Sequence, residues 1–183
     1  FQSIPTASVF KDKKVYIGPG AYIHRETLDR EVKMVETIDP NFKKRLFIDH
    51  RATMHTSKHM EEATAANRHV LMGATGKGCA EVMMHKIASR GLGGAMLASQ
   101  ELKHSYNLVE LSEHIEGDVL LEGTQGSELD VHLGPYPFVT SRMTSPAAWV
   151  AEAGLPVSRV QVVTVFRTFP IRVAGNSGPM PNE

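Results

Sequence analysis

The residues best suited to chemistry lie between positions 120 and 145, which read LLEGTQGSELDVHLGPYPFVTSRMTS. Glycines and prolines interrupt this stretch. Between them stand side chains that donate or accept hydrogen bonds, namely Gln125, Asp130, His132, Thr140, Ser141 and Arg142. Hydroxyl and guanidinium groups suit phosphate, and an amide can both donate to and accept from a polar ring edge. The stretch therefore predicts a loop that holds a polar ligand.

Two short motifs within this stretch each have a structural alternative. In EGTQG (residues 122–126), the amide of Gln125 suits the edge of a purine with an oxygen at position six. The alternative is that Gln125 satisfies backbone groups in a tight turn. In VTSR (residues 139–142), two hydroxyls and a guanidinium suit phosphate, but a surface turn stabilised by serine and threonine explains the same residues. Local sequence leaves both questions open.

GATGKG at residues 73–78 forms a third polar turn, between an apolar run and a helical pattern. Backbone N–H groups at the start of a helix favour an anion, and Thr75 adds a hydroxyl that could contact a phosphate. The spacing differs from GxxxxGK[ST], so this is not the usual ATP-binding loop. A plain turn from strand to helix is the alternative.

The nine histidines raise the question of a metal site. His55 and His59 stand four residues apart, which is helical spacing, but no glutamate separates them as in HExxH and no third ligand is evident. A solvated helix face explains the pair better than zinc does. Cys79 has no convincing histidine partner and no GxSxG motif occurs, so nucleophilic hydrolase chemistry has no support.

The elements that must position these residues alternate between strand and helix. Strands are predicted at residues 14–17, 45–49, 69–72, 118–122 and 159–173, and helices at residues 25–37, 55–67, 79–89, 107–115 and 145–153. Such alternation is typical of βαβ units. The predicted fold class is α/β, a mainly parallel central sheet with flanking helices. Ligands of such sheets bind beyond the carboxyl ends of the strands, where the polar turns fall.

The length, charge and cysteine content of the sequence argue against several classes of function. The 183 residues fit one domain, and 20 basic residues balance 20 acidic ones, so no overall field attracts nucleic acid or an anionic membrane. No apolar run approaches the roughly 20 residues that span a bilayer. A single cysteine excludes an internal disulfide and favours a reducing compartment, hence a cytoplasmic location. The first residues lack a signal-peptide pattern and do not begin with Met, which suggests numbering inside a longer chain.

Four motifs in register resemble the adenylosuccinate synthetase family. EGTQGSELDVHLGPYPFVTSR at residues 122–142 resembles the family's EG-Q-G turn, L-D strand and G-YP-VTS loop. MGATGKG at residues 72–78 is similar to its (I/M)G-TG(R/K)G turn, PIRVAGNSGPMPNE at residues 170–183 to its RVG-GP-P-E segment, and IGPGAYI at residues 17–23 to its IGNG motif. The resemblance covers nearly the whole chain and implies a part of the adenylosuccinate synthetase fold.

The resemblance also implies an activity. Such an enzyme activates the 6-oxygen of a purine nucleotide by phosphoryl transfer from GTP or ATP, with Mg²⁺ as cofactor, and then displaces it with the amino group of L-aspartate. By position, Thr75 in the glycine turn that also contains Gly76, together with Thr140, would bind the 5′-phosphate. Gln125 would contact the purine ring, and the backbone of Val173 would approach the ribose.

Some positions depart from the common family pattern. Ser89 stands where the family has an arginine that reaches the phosphate bound by a neighbouring subunit of a homodimer, and Arg90 would replace it after a shift of one residue. The loop with His132, Leu133 and Arg142 resembles the shorter archaeal and bacteriophage members. Some phage members accept dGMP instead of IMP and make 2-amino-2′-deoxyadenylosuccinate, so the substrate stays open between the two nucleotides.

The family's catalytic groups have no counterpart in these residues. Its GDEGKGK segment, with the catalytic aspartate and the magnesium ligand, and its catalytic histidine are not found, nor are its aspartate-binding loop and guanine-recognition segment. We therefore expect residues 1–183 to form one partial domain that binds a nucleotide but contains no catalytic or metal-binding residue. The alternatives are a non-catalytic purine-nucleotide-binding module, an inactive fragment, or a metal-dependent hydrolase built on the histidines.

Overall fold

A computed structural model describes residues 1–90, 96–156, 160–169 and 178 of the chain. The described elements begin with a 3-10 helix at Thr6–Val9 and include five strands: β1 (Val15–Ile17), β2 (Tyr22–His24), β3 (Leu46–Asp49), β4 (Thr53–His55) and β5 (Asn107–Val109). The helices are α1 (Arg25–Glu36), α2 (Phe42–Arg45), α3 (Ser57–Ala65), α4 (Arg68–Met72), α5 (Cys79–Ser89), α6 (Ala98–Glu101), α7 (Leu111–His114) and α8 (Pro146–Glu152). A second 3-10 helix lies at Ser127–Leu129.

The main sheet has three parallel strands in the order β1-β3-β5. Alternate residues of β1 and β3 point into the core, so Val15, Ile17, Leu46 and Ile48 are all at most 5% exposed. Parallel neighbours require a crossover connection, and helices provide it here. The predicted α/β class with parallel strands is confirmed.

A second, two-stranded parallel sheet lies beside the first and was not predicted from the sequence. Strand β2 pairs with β4 in a register that places Tyr22 opposite Thr53 and His24 opposite His55. The two strands are only three residues long and polar at their ends, so they present no apolar run by which a sequence pattern could detect them.

Helix α1 covers the main sheet. Its residues Leu28, Val32 and Val35 follow helical spacing and are at most 1% exposed. Helix α8 begins with a cap in which the hydroxyl of Ser145 accepts a hydrogen bond from the Ala148 N–H, and Pro146 occupies the first turn. The helices predicted at residues 25–37, 79–89 and 145–153 are therefore confirmed to within two residues.

Four of the sequence predictions are wrong. Residues 69–72, predicted as a strand, belong to α4, and residues 107–115, predicted as one helix, form β5 followed by α7. Residues 118–122 form no strand, and within the predicted strand 159–173 residues 160–169 form none either. Hydrophobic runs of this length fit either a strand or a helix, and a strand forms only where a neighbour supplies hydrogen bonds.

Residues 160–169 run without regular structure and are exposed throughout, with Val165 at 91% and Phe166 at 84%. The segment between Val119 and Leu121 is likewise exposed, Leu120 at 87%. None of the helices in the described parts of the chain is long and apolar enough to cross a membrane.

Candidate functional site

The loop at residues 126–144 is folded around the carboxylate of Asp130. This side chain is 2% exposed. One oxygen accepts hydrogen bonds from the backbone N–H groups of His132 (2.8 Å) and Leu133 (3.2 Å), and the other accepts from the N–H of Thr144. The donors from Thr144 and His132 hold the pKa of Asp130 below its usual value. The carboxylate therefore joins the two ends of the loop.

The two residues predicted to contact the ligand in this loop are brought together. The amide nitrogen of Gln125 donates to the hydroxyl of Thr140 at 3.0 Å. Gln125 is exposed and Thr140 is half-buried. The N–H of Thr140 donates to the Leu129 carbonyl at 2.7 Å, which fixes the backbone beneath that hydroxyl. Gln125 has a φ of 69°, a left-handed conformation that is uncommon for a residue other than glycine. The loop thus presents an amide and a hydroxyl side by side.

The EGTQG turn rests on the indole of Trp149 in α8. A Cβ atom at Gly123 would lie 3.0 Å from the indole nitrogen, so any larger residue would press on the ring. The same nitrogen donates to the Thr144 carbonyl at 3.1 Å, and the Thr144 hydroxyl donates to the Gly126 carbonyl at 3.1 Å. Trp149 and Thr144 therefore hold the turn against the end of the polar loop.

Arg142 plays a structural part in this arrangement. Its guanidinium pairs with the Glu152 carboxylate at 3.1 Å and donates to the Gly20 carbonyl at 3.3 Å. It also lies over the ring of Tyr22, 4.5 Å from the centroid. These contacts join the VTSR loop to strand β2 and helix α8. Of the three polar groups in VTSR, the guanidinium is thus already paired, which leaves the hydroxyls as the groups suited to phosphate.

GATGKG lies between α4 and α5, not after a strand as predicted. Gly73, Gly76 and Gly78 all have positive φ values, between 66° and 76°, which turn the chain sharply before α5 begins. Thr75 is exposed and Gly76 is half-buried. Glu81, in the first turn of α5, pairs with Arg68 of α4, which ties the two helices together across the loop.

Several charged side chains influence the region around Cys79, at the start of α5. Cys79, the first residue of α5, lies within electrostatic range of Arg142 as well as Lys77. Burial raises the pKa of its thiol, and these two cations oppose that effect. Glu152 borders the same region, and burial raises the pKa of its carboxyl against the opposing charges of Arg142 and Lys86. The region therefore combines several charges in partly buried positions.

The remaining predicted contacts lie elsewhere. Arg90 is exposed with a left-handed φ of 46° at the far end of α5, which has 11 residues and so separates Arg90 from the GATGKG loop by about 16 Å. Ser89 is the last residue of α5. Val173 lies outside the described residues. Within one chain the structure therefore does not bring Arg90 to the loop.

His55 and His59 are placed differently from the sequence prediction. His55 is the last residue of β4, whereas His59 lies in the first turn of α3, so they do not share a helix. His59 is 4% exposed, so the solvated helix face predicted for it is wrong. Within the described ranges, no group of three or more His, Cys, Asp or Glu side chains is arranged to hold a metal ion.

Sequence patterns did not reveal the roles of Asp130 and Trp149. Asp130 could have been noticed as an acidic residue followed by a turn-rich segment, since aspartate commonly accepts hydrogen bonds from backbone N–H groups two residues on. The bond to the Thr144 N–H spans 14 residues and needed the structure. Trp149 gave no signal beyond its place in an apolar helix.

These features define a class of protein. Parallel strands joined by helices, with glycine-bounded turns between the elements, are typical of α/β proteins that bind ligands bearing phosphate. The family model described as adenylosuccinate synthetase matches residues 1–112 and 102–183. The chain belongs to the adenylosuccinate synthetase family.

Curated relatives support this assignment. The adenylosuccinate synthetase of Methanocaldococcus jannaschii is 35% identical over 189 aligned residues, which cover 98% of this chain and 52% of the relative. That of Methanococcus vannielii is 33% identical, with 98% and 53% covered. The chain thus spans about half the length of these relatives. The archaeal enzymes agree with the resemblance to the shorter archaeal members.

Solved structures agree on the fold. The succinoaminodeoxyadenylate synthetase PurZ of cyanophage S-2L, bound to dGMP and dATP as an energy donor, superposes with a TM-score of 0.67 at 23% identity over 85% of this chain and 45% of that one. The fully ligated adenylosuccinate synthetase from Plasmodium falciparum gives 0.70 at 16% identity over 84% and 46%. At these identities the likeness concerns the fold alone.

Proposed function

We propose that residues 1–183 form the nucleotide-binding part of a ligase that condenses L-aspartate with a 6-oxopurine nucleotide, IMP or dGMP, at the expense of GTP or ATP. Membership of the family supports the reaction class. The observation that supports the site is the hydrogen bond between Gln125 and Thr140, because it places an amide suited to a purine edge beside a hydroxyl suited to phosphate.

The proposed roles give a simple picture of binding. Thr140 and Thr75 donate hydroxyl hydrogen bonds to the 5′-phosphate, and N–H groups around Gly76 add further donors. The Gln125 amide contacts the purine ring. Since a ribose separates base from phosphate in a nucleotide, Gln125 and Thr140 release each other when the ligand binds. The backbone of Val173 approaches the ribose, and Arg90 reaches the phosphate bound by the second subunit of a homodimer.

Magnesium belongs to the proposed reaction but is assigned no residue of this chain. Neutralising charge on the transferring phosphates is the chemistry that Mg²⁺ supplies. The described residues offer no group of three or more His, Cys, Asp or Glu side chains arranged for a metal. On the family resemblance, we assign the ligands of the metal and the groups that move the phosphoryl group to the family segments that have no counterpart in these residues.

Calorimetry on this chain with IMP, dGMP and inosine tests the binding roles. IMP should bind more tightly than inosine, because only the nucleotide offers a phosphate. Thr140→Val should weaken the binding of IMP and leave the binding of inosine unchanged. Gln125→Ala should weaken the binding of both ligands by about fivefold, since a hydrogen bond contributes roughly 1 kcal/mol. Thr64→Val and Gln161→Ala make the same changes at exposed positions and should have no effect.

Two outcomes would reject the assignments. Equal affinity for IMP and inosine would exclude a phosphate site, and unchanged binding by Gln125→Ala would exclude contact with the base. The reaction itself is tested on the complete reading frame that contains this chain, by following nucleotide- and aspartate-dependent turnover with IMP against dGMP. Nucleotide binding without any aspartate-dependent turnover would indicate a non-catalytic binding module.

A further inference from the structure

The turn that contains Gln125 has an unfavourable backbone conformation. Gln125 has a φ of 69°, in the left-handed region that side chains disfavour. A residue stays in this conformation only where neighbouring groups hold its backbone in place. The groups that hold the turn therefore also decide where the Gln125 amide lies.

The hydrogen bond between Gln125 and Thr140 is not available to hold the turn when a nucleotide is bound. In the free chain the Gln125 amide donates to the Thr140 hydroxyl at 3.0 Å. In the proposed complex the amide contacts the purine and the hydroxyl contacts the phosphate, so this bond is broken. The backbone of the turn then depends on contacts that involve neither of these two side chains.

Contacts of this kind lie on both sides of Gln125. Before it, a Cβ atom on Gly123 would lie 3.0 to 3.3 Å from three atoms of the Trp149 indole, so the backbone of Gly123 packs on that ring. After it, the Gly126 carbonyl accepts a hydrogen bond from the Thr144 hydroxyl at 3.1 Å. The indole N–H donates to the Thr144 carbonyl at 3.1 Å, which joins the two contacts into one support.

This support is fixed to the rest of the protein at both ends. The backbone N–H of Thr144 donates to the buried carboxylate of Asp130, which closes the polar loop. Trp149 lies in α8 between Ala148 and Val150, which are 6% and 8% exposed. The tryptophan itself is half-buried, so its N–H requires an acceptor, and the Thr144 carbonyl provides one.

We propose that Trp149 is a positioning residue for the base contact: its indole, together with the Thr144 hydroxyl, holds the turn in the conformation from which the Gln125 amide reaches the purine. This inference rests on the proposed function for its effect on base binding. The link between the indole and the turn is a property of the chain itself and is measurable without a nucleotide.

The indole N–H should matter little for the phosphate contact. The backbone of Thr140 is held by a separate hydrogen bond, from its N–H to the Leu129 carbonyl at 2.7 Å. That bond involves neither Trp149 nor Thr144. Because Trp149→Phe also leaves the Asp130 carboxylate and its backbone donors in place, it should affect the base and spare the phosphate.

Nuclear magnetic resonance of the free chain tests the link between the indole and the turn. Trp149→Phe keeps an aromatic ring beside Gly123 and removes the N–H donor. We expect the backbone of Gln125 to become more mobile in this variant, as measured by nitrogen relaxation of its amide. Relaxation is the suitable measurement because, unlike a chemical shift, it does not respond directly to the exchange of one ring for another. The chain has one tryptophan, so a single indole N–H signal reports Trp149 in the unaltered protein.

Two substitutions of Thr144 form a matched pair. Thr144→Val keeps the shape of the side chain without its hydroxyl, so it should loosen the turn as Trp149→Phe does. Thr144→Ser keeps the hydroxyl that donates to the Gly126 carbonyl and should leave the turn as rigid as in the unaltered chain. Thr37→Val is the control, because it removes a hydroxyl that also donates to a backbone carbonyl, at 2.7 Å, beside the end of α1.

Calorimetry with inosine and with ribose 5-phosphate measures the consequence for binding. Trp149→Phe should weaken the binding of inosine by about two- to fivefold, up to the loss expected from removing the Gln125 contact, and leave that of ribose 5-phosphate unchanged. In a chain that already carries Gln125→Ala, adding Trp149→Phe should not weaken inosine further, because a positioning residue acts through the group that it positions. Val150→Ala, in the same helix, should lower stability without changing either affinity.

Three results would overturn the proposal. One is an unchanged mobility of the Gln125 backbone in both Trp149→Phe and Thr144→Val. Another is an equal loss of inosine affinity from Trp149→Phe with and without Gln125→Ala, and the third is the same loss from Val150→Ala, since either would show that the indole acts through general stability. If inosine does not bind to the unaltered chain, the proposed base contact fails, while the relaxation measurement still decides whether the indole holds the turn.

Discussion

Two regions of the molecule are stabilised in different ways. The sheet region, residues 1–90 and 96–114, contains the main hydrophobic core, with side chains from β1, β3, α1 and α2 almost completely buried. The loop region, residues 115–145, contributes no residue to that core and is held by Asp130, Thr144 and the indole of Trp149. The first region depends on burial of apolar area, and the second on hydrogen bonds to one carboxylate and one ring.

The difference explains where the candidate ligand contacts lie. Side chains in a close-packed core are unavailable to a ligand, whereas a loop fixed by polar contacts leaves Gln125 exposed and Thr140 half-buried, with their side chains hydrogen-bonded to each other. Apolar residues of the loop region are exposed as well, Leu120 most of all. Their sequence favours a strand, but no neighbouring strand pairs with them among the described residues.

The largest expected change in the free energy of unfolding comes from truncating an apolar side chain of the sheet region. The same truncation in the loop region should change it very little. Phe42 is 0% exposed, so Phe42→Ala should lower the free energy of unfolding by about 3–5 kcal/mol. Leu120→Ala, at a position 87% exposed, should change it by less than about 0.5 kcal/mol. Urea denaturation followed by circular dichroism measures both. Similar losses for the two variants would mean that the loop region has a core of its own.

The next largest change in stability is expected from a glycine of the GATGKG loop, which belongs to the sheet region. Gly78 and Gly76 of this loop are compared. Both have a positive φ, but a Cβ atom at Gly78 would meet the backbone of His59, whereas one at Gly76 would meet nothing within 4 Å. Gly78→Ala should cost about 2–4 kcal/mol, from strain and overpacking together, and Gly76→Ala about 1–2 kcal/mol from strain alone. Equal unfolding midpoints for the two variants would show that the loop does not pack on α3.

Acid should destabilise the sheet region through its buried histidines. The folded-state pKa of His55 lies near 4 and the usual value is 6.5, so the unfolded chain binds the proton first as the pH falls. Stability is therefore complete above about pH 6.5 and is lost progressively down to about pH 4, by at most about 3 kcal/mol for this residue. Unfolding free energies measured across that range should fall less steeply for His55→Asn. Parallel slopes would show that the ring titrates without a penalty.

The smallest effect concerns a contact that joins the two regions. The N–H and hydroxyl of Thr6 both donate to the Glu122 carboxylate, at 3.0 Å and 2.6 Å, in an exposed position. Thr6→Ala removes only the hydroxyl contact and should cost less than about 1 kcal/mol, since solvent replaces an exposed hydrogen bond readily. Thr37→Ala, at another exposed site, is the control for threonine removal. A loss of several kcal/mol would mean that the regions are joined far more tightly than the exposure of this contact suggests.

Sequence patterns predicted well the elements that bury a periodic face. Leu28, Val32 and Val35 repeat at helical spacing, and the predicted helix at residues 25–37 is present as α1. Ser145 followed by Pro146 likewise predicted the start of α8, because the two partners of the helix cap lie within one turn of each other. Such elements can be predicted because they depend on residues that are close together in the sequence.

Sequence patterns gave wrong predictions where the hydrogen-bond partners of a segment lie far from it in the sequence. Residues 69–72 and 118–122 have strand-like apolar runs, yet the first is helical and the second forms no strand, because hydrogen-bond partners decide between these states. In the candidate site, the types of Thr75, Gln125 and Thr140 suggested their chemistry. Only the structure showed that Gln125 contacts Thr140 and that Arg142 is turned toward Glu152.

The sequence by itself determined the alternation of helices and strands, the glycine turns and the motifs of the adenylosuccinate synthetase family, all of which depend on residue types at short spacing. The tertiary structure alone decided that the Asp130 carboxylate closes the polar loop and that the rings of His24, His55, His59 and His85, which come from separate elements, form a row. Those contacts depend on how the sheets and helices pack, because hydrogen bonds and ring contacts act over a few ångströms in space regardless of separation along the chain.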